Sequence, residues 1–544
     1  MVLAWTIADV RYRFRIRTAP IPLLGITFSV VSTIGLLTLL TDLWRTEQWL
    51  VPKGSYLTPG LWQAFLGGLF FLTFLIWTWF AFIKPPIYGK LNSERFALTL
   101  YRFVINGSPE DLAVIADEIS SSALKLVYHA TDRSKLKNIE IKKKTKSKKI
   151  PKVEAYANDL LLLIADRRLC QSIVKSSPVT ALAVFDAMAE LQKFDIQVET
   201  FAKNIVNEAL INKNSFLFHE SEGYESGLIG YHKPLSQAMF ANYEMVEKIG
   251  TLLDPQMRRD SELDAAQWEA YCRIVLMTFS DYVEKRYASH SSVLYRALGY
   301  IKNAASDLYT LNDIPSIWGT QPYQRLCVVV QFIEDLVKIL DKNEFFDYVR
   351  IRIREKHGHP HETLYDYVAS MIFEVIFYAS GVNSPQWGCW MIQHNSVWSK
   401  IFNSNNLEGP AGKLVKFKLR RLLYDEIVDM KRFPNFKGAK TLGFCLNVMG
   451  LKVRQGDYSK DSRALQKAVL AWTKKNFLWL HSYNPRVAES CLVAGITFEI
   501  DKQRLVRTYP VEGLRREPNF IYLELDSILP ESTAVGSGFD KSKA

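Results

Sequence analysis

The chain has 544 residues and a mass of 62.5 kDa, with 48% hydrophobic and 23% charged residues and a net charge of +12. That much apolar side chain excludes a disordered chain. Six cysteines in this length are too few for a disulfide framework, and they include no CxxC pair, so no zinc ribbon or paired-cysteine redox motif is written here. In chain order, residues 1–20 form a basic N-terminus carrying Arg11, Arg13, Arg15 and Arg17. No charge falls between Thr18 and Thr41, and Leu23–Leu40 reads LLGITFSVVSTIGLLTLL. A second uncharged stretch runs from Gly54 to Ile83, its core Leu61–Ile83 reading LWQAFLGGLFFLTFLIWTWFAFI. A helix rises about 1.5 Å per residue, so about 20 apolar residues cross a hydrocarbon layer about 30 Å thick. The alternative for each is a buried core helix, or for the first a cleaved signal peptide, whose shorter apolar run and small-residue cleavage site are not evident. The sequence predicts a membrane hairpin over 21–83, with spans at about 23–43 and 61–83.

The flanks set its orientation. Four arginines precede the first span, and Lys84, Lys90, Arg95 and Arg102 follow the second, whereas the short connection carries only Arg45 and Lys53 as cations. The positive-inside rule places both termini in the cytoplasm and residues of about 44–60 outside a bacterial inner membrane. Trp44, Trp49, Trp62, Trp77 and Trp79 lie where amphipathic rings favour the interface. No ionisable residue lies within either span, so neither advertises a proton relay or charged pore. Ala64, Gly67 and Gly68 make a small-residue face that lets helix backbones approach, either within the chain or between copies in a homo-oligomer.

The cationic excess is local. Residues 1–83 carry +3 and residues 133–152 carry +9, which accounts for the whole net charge of +12. The lysine-rich loop, 131–152, centres on Lys142, Lys143, Lys144, Lys146, Lys148 and Lys149. It reads as a solvated linker, as a contact for anionic lipid or as a nucleic-acid contact. No aromatics are interleaved with it, which disfavours a stacking platform for single strands.

A first helical segment, 84–130, contains Ser108-Pro109-Glu110-Asp111, an N-cap pattern that starts a helix running to about Tyr128. Ser177-Pro178 starts another. Apolar periodicity places further helices at about 154–175, 196–212, 235–253, 263–286, 291–309, 322–341, 361–380, 411–430 and 459–479, within one helical body over 153–494. Strand-like runs appear only in a small β region, 495–530, at Gly495–Ile500, Arg504–Tyr509 and Phe520–Leu525. The tail, 531–544, is rich in Ser, Gly and Lys and is expected to be disordered. The fold class is a mainly α membrane protein: two N-terminal transmembrane helices, a large helical cytoplasmic body and a few C-terminal strands.

No phosphate-binding loop, GxGxxG, GxSxG, HExxH or calcium loop occurs, and no cofactor, catalytic group or small-molecule substrate is expected. Three local features carry alternatives. His357, His359 and His361 alternate ahead of a helix and read as a polar loop or a zinc set. Gly223, Gly227, Gly230, His232 and Lys233 read as a crossover between subdomains or a loop that holds a partner. Cys389, between Trp387 and Trp390, reads as a buried small hydrophobe rather than a nucleophile.

This layout resembles the two-helix transmembrane effectors of bacterial antiphage systems, in particular those encoded beside retron reverse transcriptases. The resemblance rests on architecture and transfers no residue roles. It implies a toxin held silent by a reverse transcriptase with its branched DNA–RNA product. Phage interference would release it to disrupt the inner membrane, an abortive infection. From the residues alone, an inner-membrane scaffold or sensor whose body binds a protein or ligand fits the same layout.

Overall fold

The computed structural model describes residues 9–47, 49, 58–133, 151–221, 234–255, 263–287, 290–343, 363–402, 407–453, 461–509 and 517–527. The chain divides into two compact units, residues 1–262 with 291–293 and residues 263–290 with 294–544. The boundary near 262 falls within the stretch 153–494 that the sequence reads as one body.

The first unit begins with α1 (Val10–Thr18), α2 (Leu23–Thr46) and α3 (Pro59–Thr78), the last continued by a π-helical turn, Trp79–Ile83. Pro20 and Pro22 separate α1 from α2, since their rings fix φ and remove two donors. Thr58 caps α3 by accepting from the Leu61 amide at 3.3 Å, and Pro59 occupies its first turn. Helices α2 and α3 pack side by side as a hairpin. Helix α2 keeps one stripe from solvent: Leu23, Thr27, Ile34 and Thr41. At one end Gln63 Nε2 donates to Asp42 Oδ1 at 3.3 Å. Elsewhere the pair is uncovered, with Phe28, Leu36, Leu39, Phe65, Phe71 and Leu72 all exposed. The protein buries only 17% of the most apolar stretch of α2 and 11% of that of α3.

After the hairpin come α4 (Ser93–Asn106) and α5 (Pro109–Ser120). Ser108 and Asp111 make the expected capping box, each side chain accepting from the other's backbone amide. The helix predicted to reach Tyr128 instead stops at Ser120 and resumes at Ala123–His129. Local hydroxyls supply the break: Ser121 Oγ donates to the Glu118 carbonyl, and Ser122 Oγ accepts from the Tyr88 amide. The predicted helix 154–175 is also two, α6 (Lys152–Leu163) and α7 (Arg167–Ser176). Asp166 starts the second by accepting from the Arg168 and Leu169 amides at 3.0 and 3.1 Å. The segment 235–253 divides into Pro234–Phe240 and Tyr243–Ile249, with Asn242 as the second cap. Phe96, Leu100, Ile115, Ile119, Leu126 and Leu160 lie in the core of this unit.

The second unit contains α8 (Leu364–Ala379), α9 (Phe436–Met449) and α10 (Arg463–Tyr483) among other helices. The predicted helix 291–309 ends at Asn303, and a short 3-10 turn follows at Leu308–Leu311. Gln386–Phe402, unanticipated as helix, is helical throughout, with a π segment at Met391–Trp398. Gly443 sets a close approach: a Cβ there would lie 2.8 Å from the Cys491 carbonyl oxygen. The predicted strands are β1 (Ile496–Glu499), β2 (Arg504–Tyr509) and β3 (Asn519–Glu524), an antiparallel sheet in the order β1-β2-β3. Its register aligns Phe498 with Leu505 and Leu505 with Leu523, so these three share one face.

Candidate functional site at the foot of the apolar hairpin

Helix α1 brings its arginines into register. Arg11 and Arg15 are four residues apart and share a face, while Phe14, Ile16 and Thr18 are buried. Ile16, Ala19, Leu23 and Ala81 form a buried apolar cluster, with Tyr12, Leu24, Trp77 and Phe80 packed against it. The cluster ties the residues before α2 to the π turn after α3. Phe14 meets the rings of Phe96 and Phe103 edge-on at 5.4 and 6.0 Å, which ties α1 to α4.

Arg15 is the centre of the polar contacts. Its Nε and Nη2 each donate to a Glu118 carboxylate oxygen at 2.7 Å, a bidentate pair, and its Nη1 donates to the Ala81 carbonyl at 3.1 Å. The side chains are 15% and 6% exposed. The hydrogen bond to Glu118 raises the Arg15 pKa above its already high ordinary value, against the opposing effect of burial. Arg11 adds a 2.9 Å pair to Asp117 and a 3.4 Å contact to Glu118. One guanidinium therefore bridges the α5 carboxylate and a main-chain oxygen in the π turn. That turn closes with Lys84 N donating to Trp79 O at 2.8 Å, and such wide turns recur at functional positions.

The other side of the foot is held by main-chain oxygens. Asn92 Nδ2 donates to the Thr18 and Ile87 carbonyls at 2.8 and 3.0 Å, and its Oδ1 accepts from the Gly89 amide. Arg95 donates to the Pro20 carbonyl. Tyr88 is buried, and its hydroxyl donates to the Val153 carbonyl at 2.6 Å. Burial raises its pKa, so it stays protonated as a donor. The arrangement carries no nucleophile or paired acid and base. Its chemical capacity is mechanical: α5 cannot move without carrying Arg15, and with it the base of α3.

The residues singled out in the sequence fall elsewhere. Ala64, Gly67 and Gly68 are exposed on α3, and a Cβ added at either glycine meets nothing within 4 Å. The described part of the hairpin leaves that face open. The lysines at 142–149, the glycine-containing loop at 223–233 and the histidines at 357–361 lie outside the described residues. Among the described residues, no group of three or more His, Cys, Asp or Glu side chains could hold a metal ion. Cys389 is buried, as read from its neighbours. Burial pushes its thiol up to about 12, against an opposing influence from Arg507. Gln393, Asn447 and Arg507 form a buried polar chain beside it, with Asn447 Nδ2 donating to Gln393 Oε1 and Arg507 Nη2 to Asn447 Oδ1, both at 2.9 Å.

Sequence reasoning named Arg15 and Arg95 only as flanking charges and missed their contacts, and it missed Glu118 and Asn92 altogether. The signal available was weak: an Arg pair four apart before a span, and an adjacent acidic pair, Asp117-Glu118, on a helix otherwise facing a core. Compared with family models, curated proteins and solved structures, the chain matches none.

Proposed function

We propose that this chain is a membrane-anchored effector, of the kind found in retron-type antiphage defence, whose hairpin disrupts the bacterial inner membrane when released from inhibition. The observation that carries the reading is the exposure of α2 and α3. Both are apolar around the whole circumference, and the protein buries only 17% and 11% of their most apolar stretches. A core helix of this composition would be covered by protein, whereas a bilayer covers this pair at no cost. With the positive-inside rule, both termini and the body lie in the cytoplasm.

Two uncharged helices with internally satisfied backbones cannot enclose a water-filled path. Membrane damage therefore requires several copies. The open face at Ala64, Gly67 and Gly68 suits close approach between them. Thr38 donates back to the Ile34 carbonyl, leaving Ser29, Ser32 and Thr33, all exposed, as the hydroxyls available to an assembly. The foot contacts of Arg15, Asn92 and Arg95 give the body its hold on the hairpin. A reverse transcriptase with its branched DNA–RNA product is the inhibitor that the layout suggests. The lysines at 142–149 suit attraction to anionic lipid.

Expression without its neighbouring gene should depolarise cells and admit a membrane-impermeant dye. Gly68→Ile should abolish that toxicity while membrane insertion is unchanged, because a Cβ there meets nothing within 4 Å among the described residues. A wild type that never depolarises cells overturns the effector reading. It would leave the chain as an inner-membrane scaffold or sensor, a reading favoured by the fixed foot at Arg15–Glu118, which an inert anchor would also need.

A further inference from the structure

The second unit carries a groove that the proposed function does not use. It has a volume of 680 Å³ and lies between β3, one face of α10 and residues Leu451–Val453. Lys467, Leu470, Ala471 and Lys474 line it from α10. Their spacing of three, four and seven residues puts them on one helix face, two cations bracketing two apolar side chains. Lys452 adds a third cation, with Glu524 the lining acid, and Leu451, Leu470 and Leu523 supply an aliphatic floor.

The opposite wall is an edge. Strand β3 pairs with β2, and among the described residues no strand pairs with its other side. A free edge presents unpaired N–H and C=O groups, and proteins blunt such edges with lysines, prolines, bulges or covering elements. Within β3, Asn519-Phe520-Ile521-Tyr522-Leu523-Glu524, there is no lysine and no proline, and Phe520 and Tyr522 are each 44% exposed. The cations line the groove instead, Lys467 and Lys474 on α10 and Lys452 beside them.

We propose that this groove binds an extended acidic peptide of a partner protein, which adds as a further strand to the free edge of β3. Main-chain hydrogen bonds to β3 supply affinity. Alternate side chains enter the aliphatic floor, and neighbouring carboxylates meet Lys452, Lys467 and Lys474. Single-stranded nucleic acid fits less well. The floor is aliphatic, and the Arg504 guanidinium already lies 3.9 Å from the centre of the Tyr522 ring, occupying one of its two faces. The inference does not depend on the membrane reading.

The full chain in lipid nanodiscs, titrated with a fluorescein-labelled decapeptide alternating Glu and Val, tests it by anisotropy. The peptide should bind, and its Lys–Val counterpart should not. The triple variant Lys452→Glu, Lys467→Glu, Lys474→Glu should weaken binding by about tenfold or more, equivalent to about 1.4 kcal/mol. The same Glu–Val peptide with its backbone amides N-methylated should weaken equally, because it keeps both side chains but cannot donate to the edge. Lys475→Glu, on the same helix but outside the groove lining, should leave binding unchanged. Equal binding of the N-methylated peptide would mean ionic adsorption and overturn the proposal, as would insensitivity to the triple variant. Displacement of the peptide by oligothymidine at matched concentration would assign the groove to nucleic acid. A gain of about tenfold on removing residues 528–544 would make the chain's own tail the occupant.

Discussion

Helices α3 and α8 are built from much the same side chains, yet one is exposed and the other is interior. In α8, Val368, Ala369, Ile372, Val375, Ile376 and Ala379 are fully buried. Its polar groups are placed with care. Thr363 and Asp366 form a capping box, Tyr367 donates to the Tyr295 carbonyl at 2.7 Å, and Glu374 pairs with Lys437 at 2.9 Å. Helix α3 has no charged residue and only Leu66 buried, with hydroxyls turned back on its own backbone, Thr73 to Leu69 O and Thr78 to Phe74 O. Apolar content alone therefore does not decide where a helix goes. What separates the two is whether polar side chains mark one face and both ends, because those groups require water or a partner at defined places.

The largest expected effect lies where the two environments meet. Glu118→Leu takes the carboxylate from the mostly shielded Arg15 guanidinium and should cost about 3–5 kcal/mol, read as a lower urea midpoint in detergent micelles. Adding Arg15→Met should restore most of it. If the single variant unfolds no earlier than the parent, the pair does not hold the foot. Within the body, Ile372→Ala opens a cavity in α8 and should cost about 2–5 kcal/mol, with membrane insertion unchanged. Phe71→Arg should do the reverse. It lies on the exposed face of α3, so body stability should stay level, while insertion should weaken by about 2.5–3.5 kcal/mol in a glycosylation-reporter assay. Normal insertion of that variant would break the contrast drawn between α3 and α8.

The smallest effect is electrostatic. A hydrogen bond from the buried Lys416 ammonium holds the Asp461 carboxyl below the ordinary carboxylate range, against the opposing effect of burial. The folded value is thus lower than the unfolded one. The pair's contribution is complete above about pH 4 and is lost as the pH falls through the folded value. Asp461 is half exposed, so the contribution should be under about 1 kcal/mol. Comparing the urea midpoints at pH 5 and pH 3 for the parent and Asp461→Asn should show a smaller drop in the variant.

Legibility in the sequence followed the range of the interaction. The hairpin helices were legible because length and absence of charge are local properties of 20-odd residues. The β strands were legible because Gly495 and the alternation of GITFEI interrupt a helical period. Breaks inside long periodic runs were not. Leu160–Ile164 continues the apolar period straight into Asp166, and only the cap bonds of Asp166 show that α7 begins there. Helix α1 was hidden by its arginines, whose alternation at 11, 13, 15 and 17 has the period of a strand. The candidate site was illegible for a different reason. Arg15 and Glu118 are 103 residues apart, and no local pattern in either segment names the other.

That separation also has a meaning in time. At about 5–20 residues per second, Glu118 leaves the ribosome about 5–20 s after Arg15, which is 103 positions ahead of it. On the proposed topology, Arg15 counts through that interval as a full positive charge on the side that is to stay inside while the hairpin settles its orientation. Once Glu118 arrives the charge is paired and largely shielded from water. On that topology the same guanidinium first steers the inserting chain and later fastens the finished one.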